Sequence, residues 1–158
     1  MTITTHQANS FQNEILQGIH TPTDTYKILL IKTGHTGNYG QTNTNVGTPG
    51  TGTPGLTNVG TDEVGASGTG YPAGGITLGA PQVTQNGAVS RWDFASPAAL
   101  SAANFSADGA IIYNSTKGGR ILATLAFPGA PIVVSGGNFT LNFPVAGDST
   151  SLLRVTSA

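Results

Sequence analysis

The sequence predicts an all-β domain: an antiparallel β-sandwich or jelly roll with a long Gly/Thr-rich loop and extended terminal arms. Three observations carry this. About seven or eight short apolar segments are punctuated by turn residues at near-regular spacing. Helical spacing is confined to an N-terminal stretch and one turn's worth of chain near residue 100. The stretch Thr33–Gly75 holds 13 of the 23 glycines and only two charged residues, Asp62 and Glu63, which is the composition of a loop. The resulting organisation is an arm over 1–24, a sandwich over 25–145 with its loop at 34–74, and a tail over 146–158.

In the arm, Phe11, Ile15, Leu16 and Ile19 recur at helical spacing, with Asn9 and Ser10 as N-cap candidates and Gly18 and Pro22 as terminators. An extended arm docking these residues on a neighbouring chain is the competing reading. Thr25–Thr33 (TYKILLIKT) is a strand apolar on both faces, as a covered central strand would be. In the loop, Thr44-Asn45-Val46-Gly47-Thr48 recurs as Thr57-Asn58-Val59-Gly60-Thr61, a local duplication suited to turns. With so few large apolar residues, the loop is expected to be disordered in the free chain and ordered by neighbours. Folding back on its own sandwich is the alternative.

Short strands follow at 76–78 and 81–85. Asn86-Gly87 is expected to form a type I′ turn into Ala88–Ala95, where Trp92 and Phe94 face the core and Arg91 and Asp93 the other side. Ser96–Ala103 reads as a helical turn started by Pro97. Gly109–Asn114 and Arg120–Phe127 form a second hairpin over Thr116–Gly119, with Ile121, Ala123, Leu125 and Phe127 on one face. Pro131–Val134 and Asn138–Phe143 are the last two strands, and Leu152, Leu153 and Val155 could dock the tail. The expected core is Leu29, Ile31, Trp92, Phe94, Ile112, Leu125, Leu141 and Phe143.

Composition narrows the function. Charged residues are 8% of the 158, far below the usual share of about 25%. Six basic against seven acidic residues, with no basic run, argue against nucleic acid as a partner. A surface this poor in charge suits contact with other protein. There is no cysteine, hence no thiolate chemistry and no disulfide. No apolar run nears the roughly 20 residues of a membrane span, and the N-terminus does not read as a secretory signal.

No motif carries chemistry. His6, His20 and His35 lack companions at ligand spacing and read as solvated or interface residues, so no metal site is assigned. Asp62-Glu63 could serve calcium, but the adjoining ligands are mostly hydroxyls and backbone. Gly50–Gly55 spells G-x-G-x-x-G without the flanking strand and helix, and with Pro54 inside, so no cofactor is assigned. Asp93 beside Arg91 suits an ion pair or cross-strand contact better than a general acid. No G-x-S-x-G elbow is present. Asn104, Asn114 and Asn138 open N-x-[ST] triplets that chance explains in so Asn/Ser/Thr-rich a chain. The expectation is a protein with no catalytic, cofactor or metal residues.

Several elements together resemble a family of small virion proteins of tailed bacteriophages. They are Glu63-Val64, Ser67-Gly68-Thr69-Gly70-Tyr71, Ala73-Gly74-Gly75 and Leu78, then Trp92-Asp93-Phe94, then Gly109-Ala110 and Ile112–Gly118, in that order. The resemblance spans about Tyr26 to Phe143, and this chain departs from it in the GTPGTGTPG insertion over 47–55. It implies a non-enzymatic structural protein of the virion. The expected role is capsid cement or decoration, clamping neighbouring major-capsid subunits, with a tail or head-fibre component as the alternative. A carbohydrate-binding β-sandwich is the alternative of another class. A homo-oligomer is expected, a trimer favoured over a dimer because capsid lattices offer local three-fold sites.

Overall fold

A computed structural model describes residues 1–144 and 153–156. The chain forms β1 (His6–Gln7), α1 (Asn9–Leu16), β2 (Tyr26–Lys32), β3 (Ile76–Thr77), β4 (Gln82–Asn86), β5 (Val89–Asp93), β6 (Leu100–Asn114), β7 (Arg120–Ala126), β8 (Ile132–Phe139) and β9 (Leu153–Thr156). Two antiparallel sheets result: one of six strands, β1-β7-β6-β2-β3 with β8 also on β6, and one of three, β4-β5-β9. The all-β, sandwich-like reading of the sequence holds.

The 15-residue β6 is the spine. Its C-terminal half pairs with β2, from Tyr26↔Asn114 to Lys32↔Ala107. Ala107 also pairs with Ile132, so β8 occupies the edge of β6 opposite β2. β7 and β8 therefore follow one another along the same edge of β6. Local pattern alone puts only Gly109–Asn114 in this strand and a helical turn over 96–103. Instead Leu100–Ala103 is strand, kinked by register shifts on both sides of Ala103 and by a positive φ at Ala102. Alanine favours a helix locally, but Ala103 and Ala107 are fully buried against the sheet, and packing overrides propensity. The two expected strands at 131–134 and 138–143 are one, with Gly136 at φ +68 inside it, and residues 140–144 are not in a strand.

β2 is buried on both faces, as its continuous apolar run requires: Ile28, Leu29, Leu30 and Ile31 are all at 0% exposure. Of the expected core, Leu29, Ile31, Trp92, Phe94 and Ile112 are buried. Leu125, Leu141 and Phe143 are only partly covered, because they lie where the sheet runs out. The two sheets and α1 meet at an aromatic cluster. The Trp92 ring stands edge-on to Phe11 at 6.2 Å and to Tyr26 at 6.0 Å, and Phe94 lies 5.2 Å from Tyr26.

The terminal arms are built into the sheets. β1 pairs with β7, and β9 pairs with β5, where Leu153 is buried. Leu152 and the side chain of Val155 lie outside the described residues. α1 buries Phe11 but leaves Leu16 at 87% exposure, and Glu14 takes the inward position instead. Its N-cap is Ala8, without a side-chain bond, rather than Asn9 or Ser10. The β4–β5 hairpin also differs by one residue from expectation. Asn86 pairs with Val89, so the two-residue turn is Gly87-Ala88, with positive φ at Gly87 alone. That is the type II′ pattern, which needs glycine only at its first position.

Gly75 brings β3 against β2. At its φ of +92, a Cβ would sit 2.5 Å from the carbonyl oxygen of Ile28 and 2.9 Å from its carbon. Gly75→Ala is expected to cost about 2 kcal/mol or more through strain and backbone clash, read as a lowered Tm. Gly65→Ala, with nothing near its Cβ and no positive φ, is the control expected to leave Tm in place.

Candidate assembly surface

The glycine-rich loop is pinned to its own domain. This corrects the expectation of a loop ordered only by neighbouring chains. Most of its sparse apolar residues are turned inward: Tyr39, Val46, Val59, Val64 and Tyr71 are all at or below 3% exposure, while Leu56 is 56% exposed. The duplicated pentapeptides give two copies of one turn. Asn45 Oδ1 accepts the N–H of Gly47 at 2.7 Å, and Asn58 Oδ1 that of Gly60 at 3.1 Å. Each glycine has positive φ, each intervening valine is buried, and the Val59 N–H bonds the Val46 carbonyl at 2.8 Å.

Asp62 and Glu63 anchor the loop. The Asp62 carboxylate accepts the N–H groups of Thr36 and Gly37 and, at 2.7 Å, the Tyr39 hydroxyl. Burial alone would raise its pKa, but the bonds from Tyr39, Thr36 and Gly37 outweigh that and hold it below the usual value. Glu63 Oε1 accepts the Tyr71 hydroxyl at 3.0 Å and the Gly74 N–H at 2.7 Å. Here burial prevails and the pKa is raised. The Gly50–Gly55 segment is turn backbone, closed by the Gly50 N–H on the Gly60 carbonyl and by a bridge between Gly55 and Asn58.

The N-terminal arm is fastened by a second polar cluster. His20 Nε2 lies 2.7 Å from Glu14 Oε2, and its Nδ1 lies 3.0 Å from Asn114 Nδ2. The carboxylate can only accept and the Asn114 amide nitrogen can only donate, so His20 is neutral with its proton on Nε2. Asn114 Nδ2 also donates to Asp24 Oδ2 at 2.9 Å, Arg120 Nη1 to Glu14 Oε1 at 2.6 Å, and Lys117 Nζ lies 3.7 Å from Asp24. His20 and Asp24, which no helix could bring together, thus meet through Asn114. His20 and His35 are buried, which corrects their reading as solvated or interface residues: His35 Nδ1 donates to the Gly37 carbonyl at 2.9 Å. His6 is exposed. Arg91 and Asp93 are buried, whereas Asn104 and Asn138 are exposed and Asn114 is enclosed. Among the described residues, no three His, Cys, Asp or Glu side chains group as a metal site, and no helix is long and apolar enough to cross a membrane.

Burial lowers the His20 pKa from 6.5, against the opposing pull of Glu14 and Asp24. For a base with a depressed folded pKa, the unfolded chain binds the proton first as pH falls. Stability is therefore full above about pH 6.5 and declines on acidification below it. Tm is expected to fall between about pH 7 and 5, and His20→Gln to flatten that slope. An unchanged slope in the variant would assign it to another group.

What remains open among the described residues is sheet edge. β8 pairs only with β6, and the N–H and C=O groups on its other side meet no partner among the described residues. Its sequence, IVVSGGNF, has no charge and no proline. Ile132 and Val134 point to one face and line a groove of about 350 Å³ with Phe127, Pro128, Phe139 and Leu141. Val133, on the other face, is 71% exposed. β4 (QVTQN) is a second uncharged edge, shorter and wholly exposed, with Val83 at 53%. Soluble proteins usually blunt such edges with lysine, proline or a covering element. Local periodicity does not mark an edge, because pairing partners are not written in it. The missing charge in 132–139 was the available signal.

No family model, curated protein or solved structure matches the chain.

Proposed function

We propose that the protein is a non-enzymatic structural component of a virion, a cement or decoration protein that clamps neighbouring major-capsid subunits. The observation that carries this reading is the open β8 edge. A row of backbone groups without partners among the described residues, flanked by apolar side chains on both faces, is matched best by another polypeptide. Low surface charge and loops pinned by buried carboxylates support it, since a rigid neutral surface loses little entropy and little charge solvation on docking. The loop contributes to a clamp as preformed surface, not as an arm that folds on binding. The particle is supplied by the resemblance to phage virion proteins. Its residues include anchors and core of this fold: Glu63, Tyr71, Gly74, Trp92, Phe94 and Asn114.

Quantifying the chain in purified particles tests the reading. A copy number comparable to that of the major capsid protein is the expected result. A few copies per particle would indicate a tail or head-fibre component, and absence from particles would overturn both. The carbohydrate-binding alternative has one observation in its favour. A groove of about 290 Å³ is lined by uncharged hydroxyl and amide side chains, among them Thr2, Thr4, Asn38, Gln41 and Asn43. It offers little ring for a sugar to stack on, because Tyr39 is 2% exposed.

A further inference from the structure

We propose that β8 is a two-fold docking surface on which a second copy of this chain pairs antiparallel, with Val133 on the axis. This rests on the functional reading and names the occupant of the edge that supports it: the edge marks a chain that works as an assembly, and the grip on the capsid then falls to the preformed loop surface of the dimer.

Four features of the edge select a second copy. Among protein occupants, an extended strand is the one whose own alternating donors and acceptors match the row, so the occupant is a strand. The strand Ile132–Phe139 carries no charge, so pairing with itself brings no like charges together. Its apolar pattern is self-complementary. In an antiparallel sheet continued across a perpendicular two-fold, opposite residues share a face, so the register must be centred on a residue. Centring on Val133 sets Ile132 against the partner's Val134, Val133 against the partner's Val133, and Val134 against the partner's Ile132. All three pairs are β-branched and apolar. Centring on Val134 would oppose Ile132 to glycine and Val133 to serine. Finally, Ile132–Ser135 is the stretch of β8 in unbroken register with β6, before the shift near Ala103. It is therefore the regular part of the edge, and the part a continuing strand can follow.

The same register closes the groove. The partner's Ile132 and Val134 come to the face on which Phe127, Phe139 and Leu141 line the 350 Å³ groove. On the other face the two Val133 side chains cover one another. The contact is isologous and closes on itself, so it yields a dimer and not a filament. The three-fold oligomer expected from the sequence would instead need a heterologous contact, β4 of one copy on β8 of the next.

The chain contains no cysteine, which makes the test direct. Directly opposed residues of antiparallel strands have Cα atoms about 4.5–5.5 Å apart, within disulfide reach. Val133→Cys is expected to yield a covalent dimer under mild oxidation. Thr84→Cys, exposed on the β4 edge, is expected to remain monomeric on a reducing-agent-free gel. In sedimentation, the unaltered chain is expected to dimerise reversibly. Val133→Lys, which places two like charges on the axis, should weaken that dimer roughly tenfold or more. Because Val133 is exposed in the single chain, Tm should stay unchanged at dilution, which separates lost pairing from lost folding. Monomers at every concentration, or cross-linking no faster at 133 than at 84, would overturn the proposal. So would preferential cross-linking between the Val133→Cys and Thr84→Cys chains in a mixture, which would establish the heterologous contact. The cement reading is judged separately by copy number in particles, which a failure of the dimer leaves intact.

Discussion

Trp92→Ala is expected to destabilise the domain by about 3–5 kcal/mol, the usual cost of removing a buried aromatic ring. For a chain of this length that corresponds to a Tm lowered by roughly 10 °C or more. The size of the effect follows from position. Trp92 joins the three-stranded sheet to α1 through Phe11 and to the six-stranded sheet through Tyr26, so its loss opens the junction of all three elements at once. Val83 and Leu153, the residues opposite it on β4 and β9, would lose their shared neighbour. Trp92→Phe separates area from polarity. The indole Nε1 is enclosed and has no hydrogen-bond partner among the described residues, a standing cost that phenylalanine does not carry. The phenylalanine variant should retain most of the stability, and circular dichroism melts of both variants check the pair. An alanine variant that melts with the parent would remove Trp92 from the core.

Asp62→Ala is expected to cost about 2–4 kcal/mol and to free the start of the glycine-rich loop. One carboxylate is the common acceptor for Thr36, Gly37 and Tyr39, so alanine leaves the enclosed Gly37 N–H unsatisfied and the Tyr39 hydroxyl with only its longer bond to the Val59 carbonyl. Hydrogen exchange should show the amides from Thr36 to Tyr39 losing protection first, with β6 and β7 much less affected. The same group gives an acid limit. Its folded pKa is depressed, so its contribution is present above the ordinary carboxylate value and is lost as pH falls below it through the folded value. Rapid exchange throughout the loop of the unaltered chain would show that the anchors do not hold in solution.

Sequence patterning made the central architecture legible where local preference and burial agree. TYKILLIKT could only be a covered strand, and the 116–119 turn between two apolar runs could only be a hairpin. It failed where they disagree. Leu100–Asp108 reads LSAANFSAD, whose alanines and serines look helical or irregular, and only the neighbours β2 and β8 make it a strand. Gly136-Gly137 looked like the end of one strand and the start of another, although the chain bends there without leaving β6. The anchors were invisible for a different reason. Asp62 and Tyr39 are separated by 23 residues, and Glu14 and Arg120 by 106, and nothing in composition announces that such pairs meet. The loop was read from its glycine content, which is a measure of how many conformations it could adopt. What decides its state is how few of its polar groups are left unpaired.

The pairing of β2 with β6 has a consequence for how fast this chain reaches its native state. Tyr26 meets Asn114, and β1 meets β7 across a still longer separation, His6↔Thr124. The sheet's more local part is the β6–β7 hairpin, with β8 returning past β7 to the same edge of β6. That unit can form early, while β2 must wait until the whole intervening chain has been gathered in. Non-local closure of this kind places β-rich domains in the millisecond-to-second range. The barrier is only weakly sensitive to the length of the glycine-rich segment, since halving a flexible loop recovers only about 0.6 kcal/mol. Until β2 arrives, β6 offers one of its edges to any passing strand. The interval between those two events is when wrong partners compete with right ones.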